Sequence, residues 1–146
     1  MRSLTNPAAI AATLCLLFCS CGKEEGFRKD TMPVTGQVSV DGQPGDSLRV
    51  TCHNVKGIDT EHPTTSSAVT DKEGKFEIAT YEAADGVPEG DYVLTFMWGQ
   101  WNMHSMTYGG PDKLNGRYSD PESSEVRFTV EEGKPVDLGK IDLTTK

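Results

Sequence analysis

The sequence predicts an all-β domain, about seven strands in a two-sheet sandwich over residues 33–146, behind an N-terminal segment that is not part of the fold. Three observations carry this. Apolar residues recur with period two in short runs, and no stretch after residue 33 has the period of an amphipathic helix. Turn residues separate the runs, and 15 Gly and 8 Pro are high for 146 residues. Seven strands that each bury one face are most economically satisfied by packing two sheets together.

The elements follow in order. VTGQVSV puts Val34, Val38 and Val40 on one face, and DGQPGD at 41–46 reads as an Asp-Gly turn. LRVTC turns Leu48, Val50 and Cys52 inward and Arg49, Thr51 and His53 outward. Residues 54–66 are polar and read as a loop, followed by a short strand at 66–70. KFEIATY alternates Phe76 and Ile78 against Glu77 and Ala79. DYVLTFMW aligns Tyr92, Leu94, Phe96 and Trp98, and EVRFTV aligns Val126, Phe128 and Val130. In VDLGKIDL the phase slips between Val136/Leu138 and Ile141/Leu143, so a bulge or turn is expected at Gly139. The chain contains no internal repeat.

Asp71-Lys72-Glu73-Gly74 resembles the start of a calcium loop. In an EF-hand loop counted from Asp71, Lys75 takes a ligand position and Phe76 the position that requires glycine. A tight turn fits better, with Gly74 at positive φ and Asp71 capping its own turn.

The N-terminus reads differently. Arg2 precedes the apolar run AAIAATLCLLF at 8–18, the length of a secretory core and too short for a bilayer, which needs about 20 residues. Phe18-Cys19-Ser20-Cys21 then resembles the lipobox of bacterial lipoproteins, with Phe18 where Leu is usual. The resemblance implies a signal peptide over 1–20 and acylation of Cys21. Cys19 and Cys15 fit less well, with bulky Phe18 and Leu14 before them. Residues 21–32 read as the lipidated Cys and a flexible tether. Cys52 would then be the remaining thiol of the mature chain, inward-facing and without a disulfide partner. The domain relies on its apolar core, which a chain of ~125 residues can supply.

GQVSVDGQP (36–44), TDKEGKFEI (70–78) and GVPEGDYVLTF (86–96) follow one another in an order that resembles the carboxypeptidase regulatory-like domain, a transthyretin-like β-sandwich. The tail 112–138 resembles the form found in small bacterial lipoproteins of this type. Together these resemblances imply a membrane-anchored lipoprotein facing the periplasm or cell exterior, with a non-catalytic binding or structural domain.

The net charge of −8 and the lack of a basic cluster argue against nucleic acid as partner. No catalytic residue, metal ligand set or cofactor motif is legible. The chain ends KIDLTTK and lacks the Tyr-Arg-Gly-Ser tail of hydroxyisourate hydrolases, and His53, His62 and His104 lie in unrelated contexts. The first strand has no Lys and the last no Asn for an isopeptide cross-link of the collagen-adhesin kind. His53 points outward, toward solvent. A small enzyme with an unread site is a lesser alternative.

The most suggestive segment is FMWGQWNMHSMTYGG, 96–110. The connection 99–118 is long for a sandwich, and long loops are often functional. A ligand or partner surface would consist of Trp101 and Tyr108, with Arg117 at its rim, and would receive an envelope protein or, alternatively, a glycan. The competing and favoured reading makes Trp98 the end of the core strand and Trp101 a lid on the sandwich. Tyr118 is expected to tuck against the core.

Overall fold

The computed structural model describes residues 26–146, which form strands and turns without a helix. Cys21, expected from the sequence to be acylated, the expected signal peptide over 1–20 and the first part of the expected tether lie outside the described residues.

Seven of the twelve strands in the described residues match the seven expected from period two. One sheet is antiparallel throughout and runs β11 (Arg127–Val130), β8 (Gly90–Met97), β4 (Arg49–Asn54), β5 (Ser66–Val69). In the other, β2 (Val34–Val40) pairs in parallel with β12 (Val136–Leu143). Its opposite edge takes β3 (Gln43–Pro44) and β6 (Lys75–Glu77). The remaining strands are two- and three-residue pairs. β1 (Thr31–Met32) joins β7 (Val87–Pro88), and β9 (Gln100–Asn102) joins β10 (Thr107–Gly109). Paired backbone thus begins at Thr31, two residues before the domain start expected at 33, and Met32 is buried.

The core lies between the sheets. Val38, Leu48, Val50, Ile78, Leu94 and Val130 have no exposed surface, and Phe96 retains 2%. Tyr92, Leu94 and Phe96 point inward as their parity predicts. The outward residues Val93 and Thr95 are also buried, because β8 is flanked on both sides by β4 and β11. His53 is half-buried rather than solvated, and its Nε2 lies 2.8 Å from Thr95 Oγ1. Desolvation pushes its imidazole below the ordinary histidine range. Cys52 is a buried free thiol, pushed up to about 12 by desolvation. Tyr118 packs edge-on against Phe96, with ring centroids 6.4 Å apart. Leu114, from a polar stretch, is fully buried and was not legible as core.

The turns follow their residues. Asp41 and Gly42 both have positive φ, +50° and +81°, and close the two-residue hairpin between β2 and β3. The Asp71 carboxylate accepts from the N–H groups of Glu73 (2.8 Å) and Lys75 (2.9 Å). Gly74 has φ +78°, and a Cβ there would stand 2.1 Å from Val38 O. Asp71 is therefore spent on its own turn, and the turn is docked on β2 through Val38 N–H to Gly74 O (2.7 Å). The register of β12 against β2 shifts between Asp137 and Lys140, the bulge expected at Gly139.

The register also defines two poles. Asn54 of β4 lies opposite Tyr92 of β8, and Arg49 lies opposite Met97. At ~3.4 Å per residue, the five steps of β8 from Tyr92 to Met97 separate the poles by roughly 17 Å. The N-terminal segment enters at the Asn54 pole: Lys29 Nζ bonds Asp59 Oδ2 (2.6 Å), and Phe27 stacks on His62 at 3.9 Å. The hairpin β9–β10 leaves from the Met97 pole.

Candidate functional site: the aromatic hairpin

The connection after β8 is an ordered hairpin, where residue spacing alone predicts a long loop. Trp98 is its lower fixture. Its N–H donates to Asp112 Oδ1 (2.8 Å), its indole N–H to Asp46 O (2.9 Å), and Lys113 Nζ lies 4.8 Å from its ring centroid. Asp112 also accepts from the N–H groups of Leu114 and Gly116, both at 2.9 Å, which fixes the chain as it returns.

Tyr108 is the second fixture. Its hydroxyl accepts from Gly99 N–H (2.8 Å) and can donate to Ser47 O (2.9 Å), with Met97 O 3.1 Å away. Gly99 is required here, since a Cβ would lie 2.7 Å from Gly109 O and 3.1 Å from the Tyr108 ring. The Arg49 guanidinium sits 4.4 Å from the Tyr108 centroid, a cation–π contact from the outward face of β4.

Trp101 stands directly across the hairpin from Tyr108, with ring centroids 5.6 Å apart and planes at 74°. The structure therefore brings together two of the three residues singled out from sequence. Arg117 is exposed in the return segment, its N–H donating to Leu114 O (3.1 Å); the guanidinium on the aromatic pair belongs to Arg49. Strand parity placed Arg49 outward, but only the register of β4 against β8 places it beside the hairpin.

Trp101 is no lid. It is 49% exposed and is not part of the core cluster, whereas Trp98 packs against that core. At the tip, Met103 and Met106 are 76% and 73% exposed. Asn102 Oδ1 accepts from the N–H groups of His104 and Ser105 and closes the loop, and Met106 takes φ +52°. A bulky side chain in the left-handed region is uncommon and strained. The tip thus combines exposed apolar surface with backbone strain on a base held at both ends.

A second concavity, about 710 Å³, lies at the opposite pole. Three of its polar side chains have protein partners: Lys29 with Asp59, His53 with Thr95, and Arg127 Nη2 with Glu122 O at 3.3 Å. Among the described residues, no three His, Cys, Asp or Glu side chains are grouped to hold a metal ion.

No protein-family model matches the sequence, and no curated protein matches it. Solved structures do share part of its shape. A 9R-lipoxygenase from Cyanothece aligns with 78% of this chain and 16% of its own at 15% identity and TM-score 0.38. The major pilin subunit of Bacillus cereus aligns with 78% of this chain and 29% of its own at 12% identity and TM-score 0.42. A DUF3823 family protein from Parabacteroides merdae aligns with 80% of this chain and 46% of its own at 15% identity and TM-score 0.39. The chain spans less than half the length of each.

Proposed function

We propose that this chain is a lipoprotein acylated on Cys21, facing the periplasm or cell exterior, whose transthyretin-like β-sandwich is a non-catalytic binding domain. Its partner surface is the tip of the β9–β10 hairpin, and the partner is an envelope protein. The observation that carries this is the exposure of Trp101, Met103 and Met106 on a hairpin whose base is fixed by Trp98 and Tyr108. Contiguous exposed apolar side chains mark interaction sites, and an indole with flexible thioethers suits an apolar protein surface. The transthyretin-like assignment is supported by where its motifs fall. Asp41-Gly42 closes a hairpin, Asp71 to Gly74 is a turn before β6, and Pro88-Glu89-Gly90 leads into β8.

One observation favours the carbohydrate reading. A shallow cleft of about 390 Å³ on the same hairpin is lined by Gln100, Asn102 and Thr107 beside Trp101. One experiment separates the two. The full chain carrying a photo-crosslinking side chain at Met103 is expected to form a discrete protein adduct in the native envelope. Trp101→Ala should abolish that adduct in protein that is still folded at the assay temperature. Quenching of Trp101 fluorescence by glycans, without an adduct, would transfer the site to the carbohydrate reading. Neither signal would mean that the hairpin is not the binding surface.

A further inference from the structure

The large exposed apolar side chains among the described residues fall at the two poles. Val69 (opposite Arg49), Trp101, Met103 and Met106 occupy the hairpin pole. Phe27 (56% exposed), Val55 (53%) and Ile58 (77%) occupy the pole where the N-terminal segment enters. The second group is held as one unit. Val55 N–H donates to Asp91 O (2.9 Å) at the start of β8, Gly57 N–H donates to Asn54 O (3.0 Å), and Lys56 N–H donates to Asn54 Oδ1 (2.8 Å). Asp59 then joins Lys29 and accepts from the N–H groups of Glu61 and His62, and His62 carries the Phe27 ring. The 54–62 loop and the entering chain are thus fastened together, with three apolar side chains left in solvent.

We infer that this pole seats on the lipid bilayer surface, with Phe27, Val55 and Ile58 entering the headgroup region beneath the anchored domain. The inference rests on the lipid-anchor reading of Cys21. Chain length decides between a bilayer and a distant partner. Six residue steps separate Cys21 from Phe27, which reach at most ~20 Å when fully extended. The entering pole cannot stand farther than that from the acylated end, and the bilayer is the apolar phase within that reach. The attraction is apolar. Arg28, Lys29 and Lys56 are outnumbered at this pole by Asp30, Asp59, Glu61, Glu82 and Glu89, so seating should not require anionic lipid and should persist at high salt.

The test uses the processed full chain in phosphatidylcholine vesicles containing nitroxide lipids labelled near the headgroup. Ile58→Cys and, separately, Met103→Cys carry a fluorophore, and intact mass reports acylation of Cys21. Seating predicts strong quenching at position 58, unchanged by high salt, and little at position 103. An interfacial side chain lies ~5–10 Å into the headgroup boundary, within reach of shallow quenchers. Acylated protein whose position 58 is unquenched, or quenched no more than position 103, would overturn the seating and leave the anchor reading intact. A mass without acyl chains would overturn both.

Discussion

Removing one oxygen from Tyr108 should cost the domain about as much stability as removing the whole indole of Trp101. Tyr108→Phe keeps the ring, its edge contact with Trp101 at 5.6 Å and the Arg49 guanidinium at 4.4 Å. It deletes the acceptor of Gly99 N–H and the donor to Ser47 O. A hydrogen bond contributes about 1 kcal/mol net, and a buried N–H left without a partner costs about 1–3 kcal/mol. Gly99 is buried at the junction of β8 and the hairpin, so a total loss of about 2–3 kcal/mol is expected. Trp101→Ala removes a half-exposed side chain whose T-shaped pair contributes about 0.5–1.5 kcal/mol beyond area burial, and the covered half of the indole adds about 1–2 kcal/mol, so a comparable loss is expected. Urea unfolding of both variants, followed by far-ultraviolet circular dichroism, measures the two losses at unchanged m. A loss below about 0.5 kcal/mol for Tyr108→Phe would refute the assignment of Tyr108 as fixture.

Other perturbations test the frame beneath the hairpin. Gly74→Ala meets Val38 O and a left-handed backbone; left-handed placement costs about 1–2 kcal/mol and overpacking about 1–3. A measured loss of about 3 kcal/mol is therefore expected, and neutrality would contradict the docked turn. Phe96→Ala should cost about 3–5 kcal/mol as truncation of a buried aromatic, and a urea-derived loss below about 1 would reverse its inward assignment. Cys52, buried with its thiol pushed up to about 12, should react with a thiol reagent at pH 8 only after unfolding; rapid reaction of native protein would contradict its burial. Asp59 is lowered to about 2, first by its bond to Lys29 and then by the N–H groups of His62 and Glu61. Its contribution is present above the ordinary carboxyl value near 4 and is lost as pH falls through about 2. A carboxyl titration by NMR with its midpoint near 4 would show that the clasp is absent.

The strands were legible because period two is a property of a sheet with one buried face. Tyr92, Leu94 and Phe96 could be placed inward from spacing alone, and the phase slip at Gly139 located the bulge. The Asp71 turn was also legible, because a cation and a bulky aromatic at the next two positions defeat a calcium loop. Pairings were not. Alternation assigns a residue to a face but does not say which strand lies beside it, so Arg49 could not be connected to Tyr108. The burial of Val93 and Thr95 depends on β8 lying between two neighbours. His53 has outward parity, yet Thr95 beside it removes it from water. Short strands such as β9 and β10 are too brief to carry a period, and their sequence has the character of a loop. Leu114 stands alone among polar residues, and its burial comes from the Asp112 clamp rather than from any pattern around it.

Folding supplies no reason for the composition of the hairpin tip. The clamp at Trp98, the hydroxyl of Tyr108 and the close approach at Gly99 hold the base, and none of them requires an apolar residue at 101, 103 or 106. Polar side chains there would leave the hydrogen bonds of the base in place. They would also remove the unfavourable hydration of one indole and two thioethers, and glycine or asparagine at 106 would accommodate φ +52° with less strain. A position that departs from both local preferences while contributing nothing to the core is accounted for by what it contacts outside the domain. The same argument applies more weakly to Ile58, whose loop is fastened by Asn54 and Asp59 whatever residue stands at its exposed turn. The two sheets set the distance between these surfaces, and the hydrogen bonds at each end fix what each surface presents.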